Sequence, residues 1–447
     1  MTPQTLSDAP YSAGPKSKAL FQEEQEYIAP GLQTIALYAQ LAIESGKGAT
    51  MKDVDGKEYL DLVAGIGVAS LGYGHPDWAK AVGEQAAKTA VGSFTTPHRM
   101  NFLKTLASVT PKGLTRCQLY SSGAEAVEAA LRLAKSKTGK FEVVGFWGGF
   151  HGKTSGVMGL LNDGFKNGYG ATAPGLHLSP YPDSRNCPFG TKGEHDCGAH
   201  SLSFLREKLK RETTGAVAAI ILEPVQGTNG NVIPPAGFFK GVRELAKEIG
   251  SVFISDEMIT GFGRTGKMFG CDHEGVIPDM MTIGKGFGGG FPVSGVVTSS
   301  ETASAKPWAN PSGSSSSYGG NPLASAACDV TLQIILRDKL VENSAKVGAA
   351  MLKELEAMKA KQPLIGSVRG RGLMLGVDLV NPKTGAPLDK AICREVFEEG
   401  LKRGVLTMAY NPSLRINPPL LISESEALKG LALLGESLET VRGRRSL

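Results

Sequence analysis

A chain of 447 residues, 41% hydrophobic and 20% charged, has the composition of a globular protein with more than one domain and excludes a disordered chain. The net charge of +5 is small for this length, and Lys and Arg are spread along the sequence, so nothing points to nucleic acid as a partner. No run approaches the ~18 apolar residues of a membrane helix, and the first thirty residues lack the apolar stretch of a signal peptide, so the expected location is cytoplasmic.

In chain order, residues 1–30 read as an N-terminal arm, and 31–75 as the N-terminal part of a small domain. Within that part, 48–62 reads as a hairpin turning at Asp55-Gly56. Residues 76–330 form the expected large domain. Short apolar runs at 117–120, 142–147, 218–222, 251–255, 280–283 and 295–299 read as strands. Between them lie helical patterns such as 238–249. This alternation predicts an α/β fold with a large, doubly wound, mainly parallel sheet. After Asn321-Pro322 a helical stretch runs to about 362. Residues 331–447 form the expected C-terminal part of the small α/β domain, ending in Arg442, Arg444 and Arg445, read as a solvated tail. The six Cys are scattered, as free thiols in a reducing compartment would be.

Ligands of open α/β sheets sit beyond the carboxyl ends of the strands, so the residues after each run carry the argument. Ser122 is an N-cap, and Gly123 and Ala124 open a helix whose first N–H groups can cradle an anion. Phe150 and His151 follow the second run, and the aromatic can cover a flat ring. Asp256 and Glu257 end another run. Two carboxylates there are costly unless something positive pairs with them, and a protonated ring nitrogen or a bridge to Arg264 would serve. Lys285, between Gly284 and Gly286, is a candidate Schiff-base amine. Each feature alone reads more readily as a cap, a core ring or a surface lysine. Together they meet the four needs of pyridoxal phosphate: anchoring, stacking, a ring-nitrogen partner and an imine lysine.

The blocks SSGAEAVEAALRLAK, GFHGKTSG, ILEPVQG, the stretch from Asp256 to Pro292, SYGGNPLA, VRGRGLMLGV and LRINPPLLIS resemble those of the class-III (ω-) aminotransferases of fold type I, such as the 4-aminobutyrate, ornithine and dialkylglycine enzymes. The resemblance implies a large cofactor domain, a small domain built from both ends of the chain, and a homodimer with shared active sites. It implies that Lys285 carries pyridoxal 5'-phosphate and shuttles a proton, that Asp256 holds the ring nitrogen protonated, and that Glu223 lies beside the cofactor. Ser122, Gly123 and Ala124 would bind the phosphate and Phe150 would stack on the ring. His151 and Met258 would also line the cofactor. Ser317, where the family usually has Thr, would reach the phosphate of the partner subunit. Arg415 would hold the carboxylate of a 2-oxo acid. The implied reaction moves the amino group of an ω-amino acid or other primary amine to 2-oxoglutarate or pyruvate. A broad amine:pyruvate transaminase, or a decarboxylase or epimerase on the same cofactor, is the alternative.

Some substrate-side positions depart from the 4-aminobutyrate pattern. Thr228 replaces a Glu that would pair with the carboxylate-binding Arg. Lys153 replaces an Arg for the far carboxylate. Ile259 replaces a Gln, and Ile66 stands where decarboxylating relatives have Gln. Two further patterns compete. Residues 261–268, GFGRTGKM, fit G-x-G-x-x-G and nearly a P-loop, which would make a nucleotide-binding protein, but Met268 replaces the Mg²⁺-binding hydroxyl. Cys187, His195, Cys197 and His200 have zinc-ligand chemistry without finger spacing. They read as a loop with free thiols, and no metal is expected.

Overall fold

The computed structural model describes residues 13–161, 163–190 and 197–447. The chain divides into two compact units, Asp77–Glu342 and the chain up to Pro76 with Asn343–Leu447. No helix among the described residues is long and apolar enough to cross a membrane.

The unit Asp77–Glu342 is built on a seven-stranded sheet. Its order is Arg116–Tyr120, Ser294–Thr298, Met280–Ile283, Val252–Asp256, Val217–Leu222, Glu142–Phe146 and Leu176–Ser179. Ser294–Thr298 runs antiparallel to both of its neighbours, while the remaining pairs are parallel. Central strands such as Val217–Leu222 (VAAIIL) are buried along their whole length, because helices cover both faces of a parallel sheet. The helix Gly123–Thr138 lays an Ala-rich stripe with Val127 and Leu133 on this sheet. It packs into one core with Val143, Ile221, Ile254, Met280 and Val296. Ser122 caps its start and Gly139, at φ +69°, ends it in the left-handed conformation that glycine adopts without a Cβ penalty.

The expected strands appear with ends shifted by a residue or two. Leu176–Ser179 was not expected. It is an edge strand of four residues, LHLS, paired on one side only and half-buried, so it carries no continuous apolar run. The single helix expected to 362 is two, Pro322–Arg337 and Leu340–Lys359. Lys339 takes φ +53° between them, which no helix tolerates.

In the other unit Thr50–Asp53 and Glu58–Asp61 form the expected hairpin. Asp53 accepts the N–H groups of Asp55 and Lys57 at its turn. Asp55 in turn accepts the N–H groups of Lys16 and Ser17 at 2.9 and 2.8 Å and so caps the helix Pro15–Glu24 of the arm. Ile365–Arg371, Met374–Leu379 and Ser413–Ile416 make an antiparallel sheet. The basic end is not a solvated tail. It is the last turn of the helix Glu424–Arg445, where Arg444 pairs with Glu399 at 2.9 Å, Arg445 with Glu395, and Arg442 with Glu439 at 2.6 Å.

Candidate active site

Parallel register decides which side chains meet. Leu222 faces Ser255 and Asp256 faces Thr282, so Glu223, Asp256 and Thr282 emerge side by side at the carboxyl end of the sheet. Asp256 is fully buried. Its Oδ2 accepts from His151 Nδ1 at 2.6 Å, and its Oδ1 accepts from the Thr282 hydroxyl at 3.0 Å and the Met258 N–H at 3.1 Å. His151 is buried too, and burial alone would push its pKa down. The hydrogen bond and charge of Asp256, joined by the charge of Glu223, outweigh that and raise it. The raised pKa favours a positive charge on His151 beside the buried carboxylates.

Glu223 accepts the N–H of Phe150 at 2.9 Å and of Gly227 at 3.0 Å, which ties two loops to one carboxylate. Burial raises its pKa, and the His151 charge draws it partly back. Glu257 points elsewhere. It is buried among donors, accepting from Gly270 N at 2.7 Å, Cys271 N at 2.9 Å, Ser255 Oγ at 3.0 Å and the Thr260 hydroxyl. Burial raises its pKa against these donors. It secures the turn after Phe269, and the pair Asp256-Glu257 splits into a site residue and a framework residue.

Lys285 follows Met280–Ile283 with φ +49°, an uncommon conformation for a residue with a Cβ and one that concentrates at functional sites. Gly284 before it is needed for space, since a Cβ there would lie 2.4 Å from Met258 Sδ. Met258 also lies under Gly123, so it spans the lysine turn and the start of the helix Gly123–Thr138. The N–H groups of Gly123 and Ala124 have no partner among the described residues. Ser122 Oγ accepts the Glu125 N–H, and the Ser122 carbonyl accepts from Ser294 Oγ at 2.6 Å. Gly152, at φ +115°, brings the Phe150–His151 loop against this helix start. A Cβ there would sit 2.4 Å from Ala124 Cβ.

Phe150 is half-buried, edge-on to Phe165 at 5.4 Å. The Lys153 ammonium lies 6.0 Å from the Phe150 ring and 5.1 Å from the Phe165 ring, and no carboxylate pairs with it among the described residues. Thr228 is half-buried in the turn after Gly227, and Gly227 lies against buried Ile259. Ser317 is exposed on the segment before Pro322, held three residues earlier where Ser314 meets the Tyr120 hydroxyl. Ile66 and Arg415 belong to the other unit. Arg415 lies on Ser413–Ile416 opposite Gly376. Ile66 takes φ +66° in a left-handed run secured by Asp61, which accepts the N–H groups of Val63 and Ala64 and the Tyr73 hydroxyl.

Thr282, Ser294 and Tyr120 escaped the sequence reading. Thr282 had a signal, a hydroxyl in the buried run MMTI. The stretch 261–268 is a set of turns followed by the short 3-10 turn Gly270–His273, so no helix N-terminus is there to hold a nucleotide phosphate. His195 lies outside the described residues. Among the described residues no group of three His, Cys, Asp or Glu side chains is placed to hold a metal.

The family model Aminotransferase class-III matches residues 34–438. Diaminobutyrate–2-oxoglutarate aminotransferase of Rhizobium meliloti is 34% identical over 96% of this chain and 94% of its own. [LysW]-aminoadipate semialdehyde transaminase of Deinococcus radiodurans is 37% identical over 89% and 86%. An alanine/serine racemase of Pyrococcus horikoshii is 32% identical over 96% and 92%. Among solved structures, a transaminase from the marine bacterium Virgibacillus superposes with a TM-score of 0.86 at 28% identity, covering 95% of this chain and 99% of that one. An ω-transaminase from Pseudomonas jessenii in complex with PMP reaches a TM-score of 0.89 at 24% identity over 95% and 98%, a likeness of fold.

Proposed function

The chain belongs to the class-III aminotransferases, and from that premise we propose that it moves the amino group of an ω-amino or diamino acid, or of another primary amine, to a 2-oxo acid. Membership makes it a pyridoxal-phosphate-dependent enzyme of amino-group transfer. The finer roles below are our assignments.

The bound cofactor supplies an electron sink for exchange between amine and carbonyl. The chain's residues fit it. Asp256 Oδ2 accepts one hydrogen bond, from His151, and so keeps a lone pair for a protonated ring nitrogen. The N–H groups of Gly123 and Ala124 face outward at a helix start, where phosphate is favoured, and the Ser122 hydroxyl can still donate to a phosphate oxygen. Phe150, held by Glu223 through its N–H, would stack on the ring. Glu223 acts through that loop rather than on the reacting atoms. Lys285 Nζ holds the cofactor and then moves a proton. A second copy of the chain brings its Ser317 to the phosphate, which makes the active unit a homodimer. The scattered free thiols fit a cytoplasmic enzyme.

On the substrate side, Arg415 offers a planar fork for the carboxylate of the 2-oxo acid. Lys153, without a carboxylate partner among the described residues, is a point charge for a distal anionic group. Thr228 carries no charge where a Glu would, so donor choice should be broad. The names of the relatives, diaminobutyrate with 2-oxoglutarate and a semialdehyde of aminoadipate, support a donor nitrogen remote from the α-carboxylate. The observation that carries the reading is the buried His151–Asp256 pair, with its spare acceptor, beside the strained Lys285.

The deciding experiment is a panel of diamines, ω-amino acids and α-amino acids, each tested as a half-reaction on purified protein and then with pyruvate and with 2-oxoglutarate. Turnover of ω-amines is expected. The racemase among the relatives favours a second reading, tested in the same panel. L-alanine or L-serine supplied without a 2-oxo acid should not yield the D-enantiomer. If it does, and ω-amines are refused, the proposal fails. Borohydride reduction should place the cofactor label on the peptide containing Lys285.

A further inference from the structure

Every cysteine of the chain is a free thiol, and Cys271, Cys328 and Cys393 are fully enclosed in the core. Cys187 and Cys197 are different. Cys197 is the first residue of the helix Cys197–Glu212 and is 2% exposed, whereas Cys187 is partly exposed. Cys187 lies in a turn closed by the Gly190 N–H on its carbonyl at 2.9 Å. The next aromatic of that turn, Phe189, lies 6.0 Å from the His200 ring and 5.9 Å from the Phe204 ring. His200 and Phe204 sit one and two turns beyond Cys197 along the helix, so the turn packs on the helix face that carries Cys197. Cys187 lies near enough to Cys197 to raise the pKa of its thiol.

We propose that Cys187 and Cys197 form an oxidisable dithiol, a modification site that closes as a disulfide when a hydroperoxide reaches it. They match a pair in which one thiol meets the oxidant and the other resolves it.

The step balances. The Cys187 sulfur takes one oxygen from the hydroperoxide and becomes a sulfenic acid, and the peroxide leaves as an alcohol, or as water from hydrogen peroxide. The Cys197 sulfur then attacks the Cys187 sulfur, forming the S–S bond and breaking the S–O bond. The Cys197 proton departs with the hydroxide as water. Two thiols have lost two electrons and two protons, and the O–O bond has gained them. Burial, reinforced by Cys187, pushes the Cys197 thiol up to about 12. A raised thiol pKa slows the attack of Cys197 near neutrality.

The test uses the folded holoenzyme. It is treated with a small excess of hydrogen peroxide, alkylated, and cut with trypsin. Cleavage after Arg185, Lys192 and Arg206 puts the two cysteines on separate peptides, which only a disulfide would keep together. The expected product is that linked pair, two hydrogens lighter than the sum of its parts and lost after dithiothreitol. In Cys197→Ser the first step should stop at the sulfenic acid, raising dimedone labelling of Cys187 several-fold over wild type. Complete alkylation of both cysteines in peroxide-treated wild type, or sulfinic acid on Cys187 with Cys197 untouched, would overturn the proposal. So would a disulfide from either to a different cysteine.

Discussion

Two carboxylates and one imidazole share the buried end of the sheet, and of the three only His151 can carry positive charge. Its pKa is raised in the fold, so its ion pair is complete below the ordinary value of 6.5 and is lost as pH rises through the higher folded value. His151→Leu leaves Asp256 and Glu223 together without a cation. Breaking a buried pair this way costs about 3–5 kcal/mol. Lower denaturant resistance and faster cofactor loss are expected, while His151→Asn, which keeps a donor, should recover part of both. Unchanged stability and cofactor retention in His151→Leu would refute the role. Arg415 is tested by separating the half-reactions. Arg415→Ala removes two charge-assisted hydrogen bonds of ~1.5 kcal/mol each, so the 2-oxo acid half should slow about a hundred-fold. The half-reaction with a carboxylate-free diamine should change little, and equal losses in both would refute the assignment.

The helices Lys390–Lys402 and Glu424–Arg445 are joined through one carboxylate. Glu399 accepts from Lys402 at 2.8 Å, Arg403 at 2.6 Å and Arg444 at 2.9 Å. Burial would raise its pKa, but the three cations win and push it down to about 2. A depressed carboxylate contributes stability that is complete above its unfolded value of 4.5 and is lost as pH falls toward 2. Wild type should therefore lose Tm steeply as pH drops from about 5 to about 3. Glu399→Gln, already without the charge, should start lower and decline less, so the two curves converge. Parallel curves would show that the network does not couple to folding. The tail reading failed here because spacing along one helix says nothing of acids on another. The same limit hid the break at Lys339, since apolar periodicity continues across it, and the edge strand Leu176–Ser179, whose half-exposed LHLS has no pattern to detect.

At the scale of the molecule, the proposed homodimer has a physical motive beyond Ser317. Val91, Phe94, Met100 and Tyr318 are exposed, Phe94 at 88%. Arg99 donates to the carbonyls of Ser93 and Gly320, which ties the segments that carry Phe94 and Tyr318 to each other. Contiguous exposed apolar surface marks association sites, and an obligate interface usually buries more than ~2,000 Å². Phe94→Asp should weaken the dimer and lower activity at nanomolar concentration, with both restored at high protein concentration. A wild-type sedimentation mass of one chain at full activity would exclude the dimer.

Sequence alone determined the alternation of apolar runs and amphipathic helices, and with it the α/β class, because burial on both faces of a parallel sheet demands VAAIIL-like strands and helices between them. It also placed Lys285, Asp256, Ser122 and Phe150 at strand ends or shortly after them, since each closes or follows its own run. Which of Asp256 and Glu257 faces the site was decided by tertiary structure. Register sets Asp256 against Thr282 and His151, while Glu257 turns to the backbone of Gly270 and Cys271. The meeting of Glu223 with Phe150, of Cys187 with Cys197, and of Arg444 with Glu399 likewise needs chain segments brought together in space. Local spacing carries no information on such pairs, because their separation along the chain is fixed by the fold and not by any helical or strand period.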